Sequence, residues 1–528
     1  MDATAGWNDA TQTLAILLPE WIILGTAIVM MTAAAFVRLP RKVWSIGATV
    51  AIVVAMFVLR GLHGESTGTY SSVALNDDLS FYARMFLAFT GLILMGLAHD
   101  QVDDARAPEY FGSILMILAG AMLVAAANEL IFLFVGLELV SIPTYLLLYI
   151  SRRTTTTQEA ATKYFFLSIF SSGFLLFGLA YLYGMTGVSN LKGLAFLVDQ
   201  RLGIPTVPHG IFGVIAVVFI MAGLGFRVAA VPFHFYAPDV YEGSPTVLAA
   251  LLSWVPKAVG FLAMIRTLTG ILVLGGAEKT LHSKAVALAW ILAVATMTLG
   301  NTVALLQNNL RRLLAYSSIA HAGYILIAAA AAFHYSRDAN TALLGNEAIL
   351  FYLLAYALMT LGVFGGIIAL STPERPVETV DDLAGLAQYR PWLAFMITVC
   401  LFSLAGIPPL AGFWGKFQIF YAAVAASGNG DPHWFVLLVV IGGLNAAIGA
   451  YYYLRIVVTI YLRPVSNPIL ALPTWPALLS LVTCASLTVA VGLVPQVSAY
   501  PCKKAAEAAT ALPEPTDPLA AAHPGALR

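Results

Sequence analysis

Charge is what this chain of 528 residues has least of: Asp, Glu, Lys and Arg together make up 10%, against ~25% in a typical soluble domain. With 60% hydrophobic residues and a mean hydropathy of +0.86, most side chains must face lipid or other apolar helices. That excludes an ordinary cytosolic enzyme. Neither sign of charge dominates, with 27 Lys plus Arg against 27 Asp plus Glu, so there is no basic field to recruit nucleic acid. Three cysteines, Cys400, Cys484 and Cys502, cannot build a disulfide framework or supply the full thiolate set of an iron–sulfur cluster. The first residues hold Asp2 and Asp9 but no Lys or Arg, so the basic leader of a cleaved signal peptide is missing. There is no Walker A run, no glycine fingerprint after a strand and no Cys or His metal spacing. Disorder is excluded from the other side, by 29 Phe, 22 Tyr and 9 Trp.

Long apolar runs take the place of all these. A helix needs about 20 mostly apolar residues to cross a bilayer. Such runs lie near 14–36, 43–60, 80–98, 111–127, 129–150, 161–183 and 211–231, and again near 245–269, 284–306, 315–333, 346–370, 392–426, 433–462 and 475–494. None alternates apolar and polar residues as the strands of an outer-membrane barrel do. The sequence therefore predicts an all-α polytopic membrane protein with about fourteen transmembrane helices. Arg38, Arg41 and Lys42 fall in the first loop, Arg152 and Arg153 in the fifth, and Arg311 and Arg312 in the ninth. By the positive-inside rule these loops are cytoplasmic and both termini are on the outer side. Lys192, Arg201 and Lys279 in the even loops run against that bias. Residues 501–528 are rich in Ala and Pro and read as a loosely ordered tail.

Two stretches are too long and too proline-rich for single helices. Residues 211–242 contain Pro232 and Pro238, and residues 392–426 contain Pro408, Pro409 and Gly412. As straight helices they would be roughly 45–50 Å long, beyond the ~30 Å hydrocarbon core. Proline removes an amide donor and clashes with the preceding turn, so both should be broken. Broken helices at matching positions of two halves point to an ion or substrate path. The halves also echo each other, Glu159-Ala160 with Tyr164 matching Glu347-Ala348 with Tyr352. Alanine-rich helices produce such matches by chance as well, and an inverted pair of five-helix units would satisfy the helix count.

An ionisable side chain in mid-span costs at least ~2.5–3.5 kcal/mol, so each needs a partner or a role. The candidates are Glu138, Arg227, Lys257 and Lys416. One reading is a set of static ion pairs that fix helix packing; the other is a proton relay, in which a buried lysine gains and loses a proton as its partners change. His234 and His321 are either relay members or histidines hydrogen-bonded beside a break or helix end. Lys163 and Glu129 lie near span ends, where snorkelling accounts for them. Arg266 and Arg455 read as interfacial or packing charges, and Asp239 and Glu242 as loop-fixing or capping residues past a break.

The stretch GLGFRVAAVPFHFYAPDVYEGSPT followed by LLSWVPKAVGF resembles the N-type antiporter-like subunit of proton-pumping NADH:quinone oxidoreductase, respiratory complex I. Further segments carry the likeness, among them NNLRRLLAYSSIAHAGYILI and LAGIPPLAGFWGKFQIF, and it spans roughly residues 105–465. The PPLAGF piece is shared with sibling subunits and with multisubunit cation/proton antiporters, whereas PDVYEGSPT favours the N-type. The resemblance implies two inverted five-helix repeats with discontinuous helices 7 and 12. On that scheme 1–110 holds three N-terminal helices, 111–269 and 284–462 the two repeats, 463–500 the last helix and 501–528 the tail. It also implies that Glu138 pairs with a basic residue on the seventh helix, that Lys257 is the central proton carrier, and that Lys416 faces the far exit. His234 and His321 fall on water-linked relay positions.

One departure is Arg227, where the family usually has Lys; arginine keeps its proton and cannot titrate. The implied function is proton translocation by a non-redox subunit, coupled to quinone reduction in neighbouring subunits. No cofactor is expected in this chain, with NADH, FMN, iron–sulfur clusters and quinone held by partners. Those partners are sibling antiporter-like and quinone-site membrane subunits, within the lipid bilayer and without nucleic acid. Two alternatives stand beside it. A cation/proton exchanger subunit should bring several carboxylates to a break, and only Glu138 is a clear mid-span carboxylate. A purely structural subunit would keep its buried charges as static pairs.

Overall fold

A computed structural model of the chain describes residues 11–64, 72–151, 154–194, 211–274, 279–334, 340–372, 375–427, 432–465 and 474–511. Asp2, Asp9, Arg152, Arg153, Arg201 and the tail beyond 511 lie outside the described residues. The described chain is helical. Three helices come first, α1 (Leu18–Ala33), α2 (Arg41–Gly61) and α3 (Asp78–Ala98). Five segments follow: α4 (Ala107–Ala126), α5 (Leu130–Ser151), α6 (Thr155–Thr186), the broken pair α7 (Ile211–Val228) and α8 (Tyr236–Gly243), and α9 (Thr246–Met264). Five more are α10 (Lys279–Ala304), α11 (Leu310–Ala332), α12 (Asn340–Leu370), the broken pair α13 (Pro391–Ala405) and α14 (Ala411–Ser427), and α15 (Pro432–Leu462). The chain ends on α16 (Trp475–Leu493) and α17 (Pro495–Thr510).

Twelve of these helices are long and apolar enough to cross a membrane, and α1 and α13 are shorter apolar helices. With α13 and α14 forming one interrupted span, the expected fourteen crossings are present. Polar side chains set several starts. Asp77 accepts from the Ser80 amide at 2.8 Å at α3, Thr154 from the Thr157 amide at 3.2 Å at α6, and Asn309 from the Arg312 amide at 3.1 Å at α11. Each relieves one of the orphan donors of a helix N-terminus.

The two five-helix units repeat each other down to single backbone bonds. Ahead of α5, Leu130 N bonds Ser189 O at 2.9 Å and Leu191 N bonds Asn128 O at 2.7 Å. Ahead of α11, Leu310 N bonds Glu378 O at 2.7 Å and Val380 N bonds Asn308 O at 3.1 Å. In both, the link before the second helix of the unit pairs with the segment after the third. Each unit has an odd number of crossings, so the second enters the bilayer from the opposite face and is inverted. The short match at Glu159 and Glu347 falls on the third helix of each unit.

The sequence reading fails in two places. Residues from 501 do not start a loose tail: α17 continues to Thr510 and packs against α3 and α12, burying Cys502, Ala505 and Ala506. Lys and Ala favour helix, and the small buried residues give the apolar stripe it needs. Second, α11 begins at Leu310, so Arg311 and Arg312 belong to its first turn and not to a loop.

Small residues allow the closest helix approaches, as between membrane helices generally. A Cβ on Gly300 of α10 would lie 2.6 Å from the Ala320 amide of α11, and one on Gly323 would lie 2.8 Å from Met297 Cβ. Gly300→Val is expected to cost about 1–3 kcal/mol by overpacking, measured as a lower midpoint of thermal unfolding and less chain in the membrane.

Candidate functional site

Helix α5 carries Glu138 and, one turn on, Ser141; α6 brings Ser172 and α7 brings Arg227. Arg227 Nη2 donates to Glu138 Oε1 at 2.9 Å and to Ser172 Oγ at 3.3 Å, while Nη1 donates to Ser141. Ser172 in turn donates to Glu138. The guanidinium is buried, at 2% side-chain exposure, whereas Glu138 retains 26%. Arg227 Nε has no partner among the described residues. Removing either charge of such a pair strands the other, at about 3–5 kcal/mol.

Directly after Arg227 the helix stops. Ala229 N bonds Phe226 O at 3.0 Å and Ala230 N bonds Gly225 O at 2.8 Å, the paired closure of a helix ending in a left-handed residue. Ala229 takes that position at φ 58°, where glycine is usual. The second break closes the same way: Gly406 N bonds Ser403 O and Ile407 N bonds Phe402 O, both at 3.0 Å, with Gly406 at φ 92°. Freed groups find partners. Tyr236 Oη donates to Phe226 O at 2.9 Å, Thr296 Oγ1 accepts from Val231 N at 3.0 Å, and Ser403 Oγ accepts from Gly412 N at 2.9 Å. Irregular backbone at membrane depth is tolerated where protein encloses it in this way.

The two charges beside the breaks are not counterparts. Arg227 precedes its break and is ion-paired; Lys416 follows its own. Lys416 Nζ reaches back to Leu404 O at 3.0 Å and Ala405 O at 2.9 Å, the negative end of α13, and lies 5.4 Å from the centre of the Tyr324 ring. Lys257 on α9 donates to Ser318 Oγ of α11 at 2.5 Å. Among the described residues no carboxylate lies within salt-bridge distance of Lys257 or Lys416. Both ammoniums are held by neutral dipoles alone.

His321 stands one turn beyond Ser318 on α11. Its Nδ1 bonds Tyr352 Oη at 2.6 Å and its Nε2 bonds Tyr453 Oη at 2.9 Å. The structure thus brings Glu138 and Arg227 together, bonds Lys257 of the first unit to Ser318 of α11, and places on that same helix of the second unit both His321 and the Tyr324 ring that lies beside Lys416. Gly260, one turn from Lys257, packs on the backbone end of Arg227 and on Val228, which lets α9 approach α7 closely. His234 stays apart. It sits in the first break, half-buried, its Nδ1 without a partner, and none of the described hydrogen bonds joins it to Arg227 or Lys257. No group of three or more His, Cys, Asp or Glu is placed to hold a metal ion among the described residues.

Sequence reasoning missed the hydroxyls, Ser141, Ser172, Ser318, Tyr352 and Tyr453, and Ser317, which bonds the Tyr453 hydroxyl. Ser141 and Ser318 do share helix faces with Glu138 and His321, a signal that spacing could have supplied. It also missed Glu20 and Arg84, a fully buried pair bonded at 2.7 and 2.6 Å that ties α1 to α3. Arg266 is confirmed as a packing charge, paired with Asp77 at 2.6 Å and with Ala125 O at 2.7 Å. Asp239 and Glu242 lie on α8, not in a loop, and both accept from Arg312, at 2.9 and 2.7 Å. Asp239 also accepts from Lys163 at 2.7 Å, so Lys163 is anchored by an ion pair. Lys163, Asp239 and Glu242 line a cavity of ≈300 Å³ with Glu159, Asn309, Arg311 and Glu378.

A family model for "NADH:quinone oxidoreductase/Mrp antiporter" transmembrane proteins matches residues 127–445. The chain is 38% identical to the NADH-quinone oxidoreductase subunit N of Trichlorobacter lovleyi, over 94% of this chain and 98% of that one. It is 40% identical to subunit N 2 of Roseiflexus castenholzii, over 86% and 90%. Among solved structures it is similar to a chain of respiratory complex I from Thermus thermophilus with bound aureothin, at a TM-score of 0.72 and 30% identity, covering 90% of this chain and 98% of that one. A chain of the Mrp complex from Dietzia sp. DQ12-45-1b shares the fold at a TM-score of 0.78 and 19% identity, over 97% and 99%.

Partial burial pushes the Asp239 carboxyl up, but the hydrogen bonds from Lys163 and Arg312 outweigh it and hold the group below its ordinary value. A lowered carboxyl stabilises the fold above its unfolded pKa of about 4 and loses that contribution as pH falls through the folded value. Asp239→Asn is therefore expected to lower thermal stability at neutral pH, with the difference from the parent closing as the medium is acidified below about pH 4.

Proposed function

The chain belongs to the NADH:quinone oxidoreductase/Mrp antiporter family and is a proton-translocating membrane subunit of NADH-quinone oxidoreductase, and from that premise we propose that its protons travel through Lys257, His321 and Lys416. The observation that carries this reading is the kind of partner each buried charge has. A guanidinium keeps its proton, and Arg227 is bound to a carboxylate. It serves as a fixed counter-charge to Glu138. Lys257 and Lys416 are bound only to a hydroxyl and to carbonyls, so either can release a proton without stranding a buried carboxylate. His321, bonded on both ring nitrogens, can accept a proton on one face and release it from the other.

In this reading the chain itself is non-redox. NADH, FMN, iron–sulfur clusters and quinone belong to partner subunits, and oxidation supplies the energy that each charge movement across the membrane requires, ~2.3 kcal/mol per 100 mV. The three N-terminal helices, the repeats at 111–269 and 284–462 and the closing helices are its working divisions. The protein spans the bacterial inner membrane with both termini outside. Glu138, set against Arg227 and two serines, is the site through which a neighbouring subunit's charge state reaches Lys257. His234, in the first break, is the remaining relay candidate, reached through water.

The tagged chain, extracted in mild detergent, should co-migrate on a native gel with a large assembly that stains for NADH dehydrogenase activity. Migration alone or with a few small membrane proteins would favour the exchanger reading. In inverted vesicles Lys257→Ala should lower NADH-driven proton uptake by at least about tenfold, the scale of losing a positioned proton-transfer group. NADH oxidation by an artificial acceptor should be unchanged; normal pumping by Lys257→Ala would remove the carrier role. Arg227→Lys should keep pumping and Arg227→Gln should abolish it, because the charge matters and its titration does not.

A further inference from the structure

The two helix breaks share a closure but not the residue at its left-handed position. Ala229 fills it in the first break at φ 58°, and Gly406 in the second at φ 92°. Ala229 shows that a Cβ can be carried through this turn, so the closure alone does not dictate glycine at 406. Lys416 gives glycine a second reason. A Cβ on Gly406 would lie 3.1 Å from both Cδ and Nζ of Lys416 and 3.5 Å from its Cε. Carbon atoms pack best at ~3.5–4.0 Å, so that methyl would press on the lysine along its length. The stem of Lys416 instead lies across the bare end of α13, and along that path Nζ reaches Leu404 O at 3.0 Å and Ala405 O at 2.9 Å.

Tyr324 of α11 supplies another wall, with its ring centre 5.4 Å from Nζ. Asn301 of α10 holds that ring by its hydroxyl: Nδ2 donates to Tyr324 Oη at 3.0 Å. Asn301 is fully buried. Its Nδ2 also reaches Met297 O at 2.9 Å, and its Oδ1 accepts from Tyr452 at 3.1 Å. The ring therefore cannot swing away without stranding a buried amide. Carbonyls at a helix C-terminus and the face of an aromatic ring both attract an ammonium. Two of the three ammonium hydrogens go to the carbonyls, which leaves one N–H position for exchange. Resting on the reading of Lys416 as a proton carrier, we propose that Gly406 is a positioning residue for Lys416. Its missing Cβ is the space in which the lysine stem rests, so that the ammonium sits between the end of α13 and the Tyr324 ring. In the first break the methyl of Ala229 occupies the matching place, and the Tyr236 hydroxyl takes up the Phe226 carbonyl.

The test uses the assembled complex in inverted vesicles, following NADH-driven proton uptake and, as a control for assembly, NADH oxidation by an artificial acceptor. Gly406→Ala adds one methyl. Gly406→Asn adds a larger side chain, on a residue that adopts the left-handed conformation more readily than alanine does. Proton uptake should fall by about tenfold in Gly406→Asn and by less in Gly406→Ala, with the control reaction unchanged in both. Backbone strain alone predicts an equal or greater defect in Gly406→Ala; that order, or parent-level pumping in both variants, would overturn the proposal. Ala229→Gly, the reverse exchange at the first break, should pump at the parent level. A loss there as large as at Gly406 would show that the turn and not the lysine is being read. Thermal stability isolates the contact itself. The loss of midpoint caused by Gly406→Ala should shrink in a Lys416→Ala background, where the stem that the methyl meets is gone. An equal loss in both backgrounds would contradict the positioning role. Parent-level pumping by Lys416→Ala would instead overturn the carrier reading beneath it.

Discussion

An ammonium or guanidinium inside a hydrocarbon slab has no water to fall back on, and every unmatched donor there costs several kcal/mol. Much of this molecule is arranged around meeting that demand from within. Helices α9, α11 and α12, the most enclosed in the bundle, carry or surround Lys257 and His321. The apolar side chains outside them, among them exposed Phe, Leu and Val of α2, α6 and α15, are left for lipid and partner subunits to cover. Where the compensation is ionic, as for Arg84 with Glu20, Arg227 with Glu138 and Arg266 with Asp77, the pair holds two helices in register. Where it is neutral, as for Lys257 and Lys416, the charge remains free to leave with its proton. In the proposed reading, that contrast between arginine held by carboxylates and lysine held by dipoles separates the scaffold from the carrier.

The broken helices extend the same logic to the backbone. Both stop in the same left-handed closure, at Ala229 and at Gly406, and both expose carbonyls that a side chain then uses. In the first unit Tyr236 takes up the Phe226 carbonyl. In the second, Lys416 takes up two carbonyls at the end of α13. The two breaks thus share one fold and differ in the side chain that exploits it. At the face where α8 meets α11, Lys163, Asp239, Glu242 and Arg312 bind one unit to the other, so a shift of α8 is felt in both.

Much of this was legible from sequence, for physical reasons that differ from element to element. Apolar runs of bilayer length announce themselves, and Pro232, Pro408 and Pro409 marked both breaks because proline has no donor to offer the ladder. Glu138, Arg227, Lys257 and Lys416 stood out because lipid makes mid-span charges rare. Hydroxyls carry no such penalty, so Ser172, Ser318, Tyr352 and Tyr453 look like ordinary helix residues until packing brings them against a charge. Glu20 and Arg84 were hidden by lying near the ends of their spans, where snorkelling is the usual explanation. Residues 501–510 were misread because the stretch they open is Ala- and Pro-rich, although α17 needs only Cys502, Ala505 and Ala506 to dock.

The central claim is that Arg227 marks the fixed end of a polar axis and that protons move along its remainder, from Lys257 past His321 to Lys416. The most direct measurement is a cryo-EM map of the assembled complex at a resolution that shows ordered water. The account predicts water density filling the gaps between Ser318, His321 and Lys416, hydrogen-bonded to the surrounding tyrosine hydroxyls and continuous with the cavity at Asp239. Dry, closely packed apolar contacts between Lys257 and His321, or between His321 and Lys416, would contradict it.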